Sequence, residues 1–174
     1  MSEIQHLVVM GVSGSGKTTV ARILADRLGW PFAEADDHHP EANVAKMAAG
    51  TPLTDEDRWP WLRIMRDWLS EQAAAGRSTV ITCSALKVAY RDVLREAEGR
   101  VRFVHLAAAP EVIGGRLEHR SGHFMPPSLL PSQLSTLEPL AEHEDGVSIA
   151  VDVPPDEVAD TALRGLGLDA PART

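Results

Sequence analysis

The sequence predicts an α/β domain built on a mainly parallel sheet, and three observations carry that expectation. Apolar runs of strand length alternate along the chain with stretches whose apolar residues recur at helical spacing. The first such strand and helix are separated by GVSGSGKT, Gly11 to Thr18, which fits the phosphate-loop pattern G-x-x-x-x-G-K-[ST] at every fixed position. At 174 residues, with 44% hydrophobic and 24% charged residues, the chain suits one domain that buries about 70% of its unfolded surface.

Each element has its own justification. Leu7 to Met10 is an apolar run, so a strand is expected over Gln5–Met10. A helix follows from Lys17 to Leu28, with Val20, Ile23, Leu24 and Leu28 on one face and Gly29 as its stop. A short second strand, Pro31–Ala35, ends in Asp36 and Asp37. Residues 38 to 62 read as two helices joined by a Gly50–Pro52 break. The first begins at Pro40. The second starts acidic, at Asp55, Glu56 and Asp57, and runs to Gly76 with Trp61, Leu62, Met65, Trp68 and Leu69 at helical spacing. Thr79–Cys83 is the third strand. Val88–Ala97 is a helix whose buried face is Tyr90, Val93, Leu94 and Ala97, ended by Gly99. Val101–Leu106 is the fourth strand, and Pro110 opens a helix to about Arg120. Residues 121 to 133 hold three prolines and a glycine and read as an excursion from the core. Gly146–Val151 is the fifth strand, Asp156–Leu166 the closing helix, and Asp169–Thr174 a frayed end.

Composition removes several function classes. A net charge of −8 disfavours general affinity for nucleic acid. No apolar run approaches the roughly 18 residues of a membrane helix. MSEIQHLVV has no basic n-region and leads straight into a strand, so no signal peptide is expected. Cys83 is the single cysteine, which rules out an internal disulfide, and a cytoplasmic location is expected. The cations are 14 Arg and 3 Lys, and all three lysines (Lys17, Lys46 and Lys87) fall in stretches that carry chemistry.

That chemistry is phosphoryl transfer. Glycines in the loop let several backbone N–H groups approach one anion, and the following helix adds the positive end of its dipole. Lys17 is suited to the β- and γ-phosphates of ATP, and the Thr18 hydroxyl to Mg²⁺. In a parallel sheet, ligands lie beyond the carboxyl ends of the strands. The second strand delivers Asp36 and Asp37 there, the third Ser84 and Lys87, and the fourth leads through its helix to Arg116 and Arg120. A phosphate cradle, a base and added cations are the parts such a reaction needs. The adjacent histidines His38 and His39 lack the spacing of a zinc site. From the residues alone the reading is a small-molecule kinase with an anionic or polyhydroxyl acceptor.

The stretches MGVSGSGKTTVA, ADDHHPEANVAKMAAGTPLTDEDRWPWL, CSALKVAYRDVLR, RLEHRSGHFMPPSLLPSQLSTLEP and SIAVDV go further. Together they resemble the gluconokinases of the thermoresistant type, relatives of shikimate kinase, over residues 10 to about 153. The loop is generic, whereas the HP-x-x-N-x-x-KM and CSALK-x-x-YRD runs are specific to gluconokinases. Two departures lie just before Asp36: many members have Asp where this chain has Glu34, and several have Gly where it has Ala35.

The resemblance implies a three-layer P-loop kinase sandwich with a five-stranded parallel sheet of order 2-3-1-4-5. It also implies a single domain over 1–174 with a lid near 116–130, and a homodimer. The activity implied is ATP-dependent phosphorylation of D-gluconate at O6. Nucleotide contacts would come from Gly11, Val12, Ser13, Gly14, Ser15, Gly16, Lys17, Thr18 and Thr19, with Arg116 and Arg120 from the lid. Thr18 would ligate Mg²⁺. Asp36 matches the acidic residue that orients or deprotonates the acceptor hydroxyl, the alternative being a solvated loop carboxylate or helix cap. With Asp36, the catalytic set is Lys17 and Arg120. His39 and Lys46 would cover the sugar-acid site, with Lys87 and His123.

Arg58 has two readings: a planar fork for the gluconate carboxylate, or a local ion pair with Asp55 or Glu56. Lys87 has surface exposure as its alternative, and Arg116 with Arg120 a solvated helix end. Rival functions are another small-molecule or nucleotide kinase, a nucleotide-dependent switch, and a silent nucleotide-binding regulator.

Overall fold

In the computed structural model the described residues are 3–11, 16–51, 53–85, 87–107, 137, 138, 140, 144–150 and 153–168. The helix expected from Pro110, the lid at 116–130, Val12 to Ser15 and the tail from Asp169 lie outside them.

Five parallel strands form one sheet in the order β2-β3-β1-β4-β5. They are β1 (Gln5–Met10), β2 (Phe32–Glu34), β3 (Thr79–Thr82), β4 (Arg100–Ala107) and β5 (Gly146–Ala150). The central strand β1 pairs with β3 from His6↔Thr79 and with β4 from Gln5↔Arg100. The helices are α1 (Lys17–Leu28), α2 (Glu41–Ala48), α3 (Asp55–Ala74), α4 (Val88–Arg95) and α5 (Pro155–Gly165). None of these helices is long and apolar enough to cross a membrane.

Side chains alternate across the pleat, so each strand feeds two cores. Val8, Met10, Ile81, Cys83 and Phe103 face one side, where Trp61, Leu62, Met65 and Leu69 of α3 and Tyr90 and Leu94 of α4 cover them. Leu7, Val9, Val80, Val104 and Leu106 face the other, under Val20, Ala21 and Leu24 of α1 and Val158, Ala159 and Ala162 of α5. A strand buried on both faces reads as a near-continuous apolar run, which is what β1 is.

Strand and helix limits differ from expectation by a residue or two. The second strand stops at Glu34, because the chain turns into a short 3-10 helix, Ala35–His38, that carries Asp36 and Asp37. Helix α3 passes through Pro60 without stopping. The carbonyl that loses its partner belongs to Glu56, which is exposed and open to water. Its start is held by a capping box between Thr54 and Asp57.

Candidate active site

Because all five strands are parallel, the ends of β1, β2 and β3 emerge on one edge. At the end of β1, Gly11 has φ 149° and Gly16 φ 93°, conformations that side chains disfavour. Gly16 caps α1, so the helix dipole points back into the loop. Lys17 Nζ donates to the Gly11 carbonyl at 3.1 Å, folding the ammonium over the loop's entrance. The Thr18 hydroxyl donates to the Glu34 carboxylate at the end of β2. A hydroxyl and a carboxylate together are hard oxygen donors, of the kind Mg²⁺ takes. Thr19 is exposed in the same turn.

Beyond β2, Asp36 keeps 44% of its side chain exposed. Its turn is pinned from α3, where Trp61 Nε1 donates to the Ala35 carbonyl at 2.7 Å. The His39 side chain is 2% exposed, lies flat on Trp61 with ring centroids 4.0 Å apart, and brings Nε2 to 3.8 Å from Asp36 Oδ1. Burial, with the Arg58 charge second, pushes its pKa down to about 4, so the ring is neutral at physiological pH.

Arg58 makes no ion pair among the described residues. Its guanidinium sits 5.1 Å from the Tyr90 ring centroid, and its Nε is buried with no hydrogen-bond partner. Neither Asp55 nor Glu56 takes it. Asp55 accepts instead from the Tyr90 hydroxyl at 2.5 Å and from Lys87 Nζ at 3.2 Å. Those two bonds, Tyr90's first, hold the Asp55 carboxyl below its usual range. Lys46 Nζ donates to Asp57 at 2.7 Å, and this bond with the Thr54 amide lowers the Asp57 pKa to about 2. Lys46 and Lys87 therefore each have a carboxylate of α3 beside them.

Cys83, directly after β3, marks where these groups meet. It is fully buried, and burial, aided by the Asp36 charge, pushes its thiol up to about 12. Lys17 and Arg58 act on it in the opposite sense. One thiol thus feels the phosphate-loop lysine, the carboxylate after β2 and the arginine of α3.

The next residues are held from beneath. Ala85 has a left-handed φ of 42°. Its carbonyl accepts from Arg91 Nη1 at 2.7 Å. Arg91 and Glu144 are both 0% exposed and bonded at 2.6 Å, and Arg95 adds a third partner at 3.0 Å. Glu138 accepts from the first amide of α4, Val88 N, at 3.0 Å. Sequence reasoning missed Glu34, Tyr90 as a partner of Asp55, and Arg91. Arg116, Arg120 and His123 lie outside the described residues.

Fold and site together define a nucleotide-dependent phosphotransferase of the P-loop kinase class. A family model for the AAA domain matches residues 7–140. A gluconokinase of Gluconobacter oxydans (strain 621H) is 53% identical over 92% of this chain and 90% of its own length. The chain belongs to the gluconokinase family. Among solved structures, an unliganded sugar kinase from Janibacter sp. HTCC2649 superposes with a TM-score of 0.91 at 55% identity, covering 95% of each chain. A gluconokinase from Sinorhizobium meliloti 1021 gives a TM-score of 0.84 at 45% identity, over 96% of this chain and 94% of its own.

Proposed function

We propose that this chain transfers the γ-phosphoryl group of ATP to O6 of D-gluconate, giving 6-phospho-D-gluconate and ADP and feeding gluconate into the pentose phosphate or Entner–Doudoroff route. The observation that carries the reading is Arg58: a guanidinium with an orphaned Nε, on a site edge shared with Lys17 and Asp36. A buried donor without a partner costs about 1–3 kcal/mol, which an incoming anion recovers. A carboxylate fits that role, since the planar fork binds it through paired hydrogen bonds. The gluconokinase relatives supply the identity of the acid.

In this reading Arg58 grips the carboxylate of gluconate while Asp36 orients the hydroxyl at the other end toward the phosphoryl group. Lys17 and Arg120 bear the charge that develops on the transferred group. Thr18, with Glu34 behind it, would hold Mg²⁺, which when bound offsets the negative charge of the phosphates. Residues 116–130 act as the lid of a single cytoplasmic domain that pairs as a homodimer, and lid closure keeps water from the phosphoryl group.

Rates with ATP and D-gluconate, D-glucose, shikimate, AMP or GMP test the reading. D-gluconate is expected to exceed every other acceptor by about a hundredfold or more in kcat/KM. A higher value for any of the others overturns it.

A further inference from the structure

His39 was singled out as a contact for the acceptor, yet its side chain is buried and one ring face is covered by Trp61. Its hydrogen bonds settle which nitrogen carries the proton. Asn43, itself 3% exposed, directs Nδ2 to the Asp57 carbonyl at 2.8 Å and to His39 Nδ1 at 3.2 Å. A carbonyl oxygen only accepts, so the Asn43 group facing it is the NH₂. That same nitrogen only donates, so His39 Nδ1 is the bare, accepting nitrogen. The neutral ring has one proton left to place, and it lies on Nε2. Nε2 faces Asp36 Oδ1 at 3.8 Å, a small adjustment from a hydrogen bond. Catalytic hydrogen bonds commonly tighten in this way once substrate is bound.

We propose that His39 is a positioning residue: in the tautomer that Asn43 imposes, its Nε2–H steadies the Asp36 carboxylate that orients the acceptor hydroxyl. The inference rests on the reading of Asp36 as the group that orients that hydroxyl. A neutral N–H is suited to the task, because it aims the carboxylate without cancelling its charge. Three elements fix the arrangement. Helix α2 supplies Asn43, α3 supplies the Asp57 carbonyl and the Trp61 ring, and the turn after β2 supplies Asp36. The same Trp61 that supports the imidazole also bonds the Ala35 carbonyl, so acid and support move as one unit.

Two measurements test it. Long-range ¹H–¹⁵N correlation on the ¹⁵N-labelled protein at neutral pH should find His39 protonated at Nε2 alone. A proton on Nδ1, or on both nitrogens, overturns the inference. For kinetics with ATP and D-gluconate, the pair is His39→Gln, whose amide N–H falls near the Nε2 position, and His39→Asn, whose shorter amide reaches only the Nδ1 position. Both lose the ring stacked on Trp61. His39→Gln should exceed His39→Asn in kcat by about tenfold, the scale seen for residues that orient a reacting ligand, with KM for gluconate nearly equal in the two. Equal kcat values reduce His39 to packing and overturn the proposal. Asp36→Asn separates the two levels: wild-type turnover there removes the role of Asp36 itself. Lost turnover there, with equal His39 variants, removes only the role of His39.

Discussion

Replacing Arg91 by Met strips one half of a fully buried ion pair and leaves Arg95 beside Glu144 at 3.0 Å. Removing one partner of such a pair costs about 3–5 kcal/mol, because the surviving Glu144 charge stays buried and the partly exposed Arg95 matches it only in part. Arg91 also serves the Ala85 and Glu138 carbonyls, at 2.7 and 3.0 Å, so the upper part of that range applies. With a urea m-value of about 2 kcal/mol/M the unfolding midpoint should fall by about 2 M. The double variant Arg91→Met, Glu144→Leu should recover much of the loss, since an apolar pair of similar volume avoids the desolvation penalty. Turnover should fall as well, because the left-handed Ala85 loses the bond that holds it and Lys87 lies two residues on. A midpoint shift corresponding to less than about 1 kcal/mol for the single variant would refute the reasoning.

Acid should destabilise the protein through its buried histidines. His6, His39 and His105 all have lowered pKa values, in each case chiefly from burial. For His39 the unfolded chain takes up a proton below pH about 6.5 that the folded chain refuses down to about 4, so stability present above that window is lost as pH falls through it, by up to about 1.4 kcal/mol per unit, and His6 and His105 act in the same direction. Urea midpoints across that window check it, and His6→Gln should flatten the slope. Cys83 should resist a soluble thiol reagent in the folded state and react once the chain is unfolded in denaturant. Thr54→Ala should cost about 1 kcal/mol by denaturant titration, since it opens the capping box of α3.

The parts of the site that were legible in the sequence are those fixed by local rules. The phosphate loop is contiguous, and the near-continuous apolar run of β1 announces a strand with two buried faces. The carboxyl end of β2 therefore leads to Asp36 by topology alone. What stayed hidden depends on pairs distant in the chain. Arg91 looks like a surface residue of an amphipathic helix, and its partner is 53 residues away. Asp55 takes Lys87 rather than Arg58, and it also takes the hydroxyl of Tyr90, which reads only as a core aromatic. Glu34 stands in the sequence only as a departure before Asp36, and its contact with Thr18 needs the fold.

The most direct test is a crystal structure of the protein with D-gluconate and a non-hydrolysable ATP analogue. The account predicts the gluconate carboxylate on the Arg58 guanidinium at about 2.8 Å and its O6 hydroxyl on Asp36, in line with the terminal phosphoryl group. Gluconate bound with its carboxylate away from Arg58, or with O6 out of reach of Asp36, would contradict it.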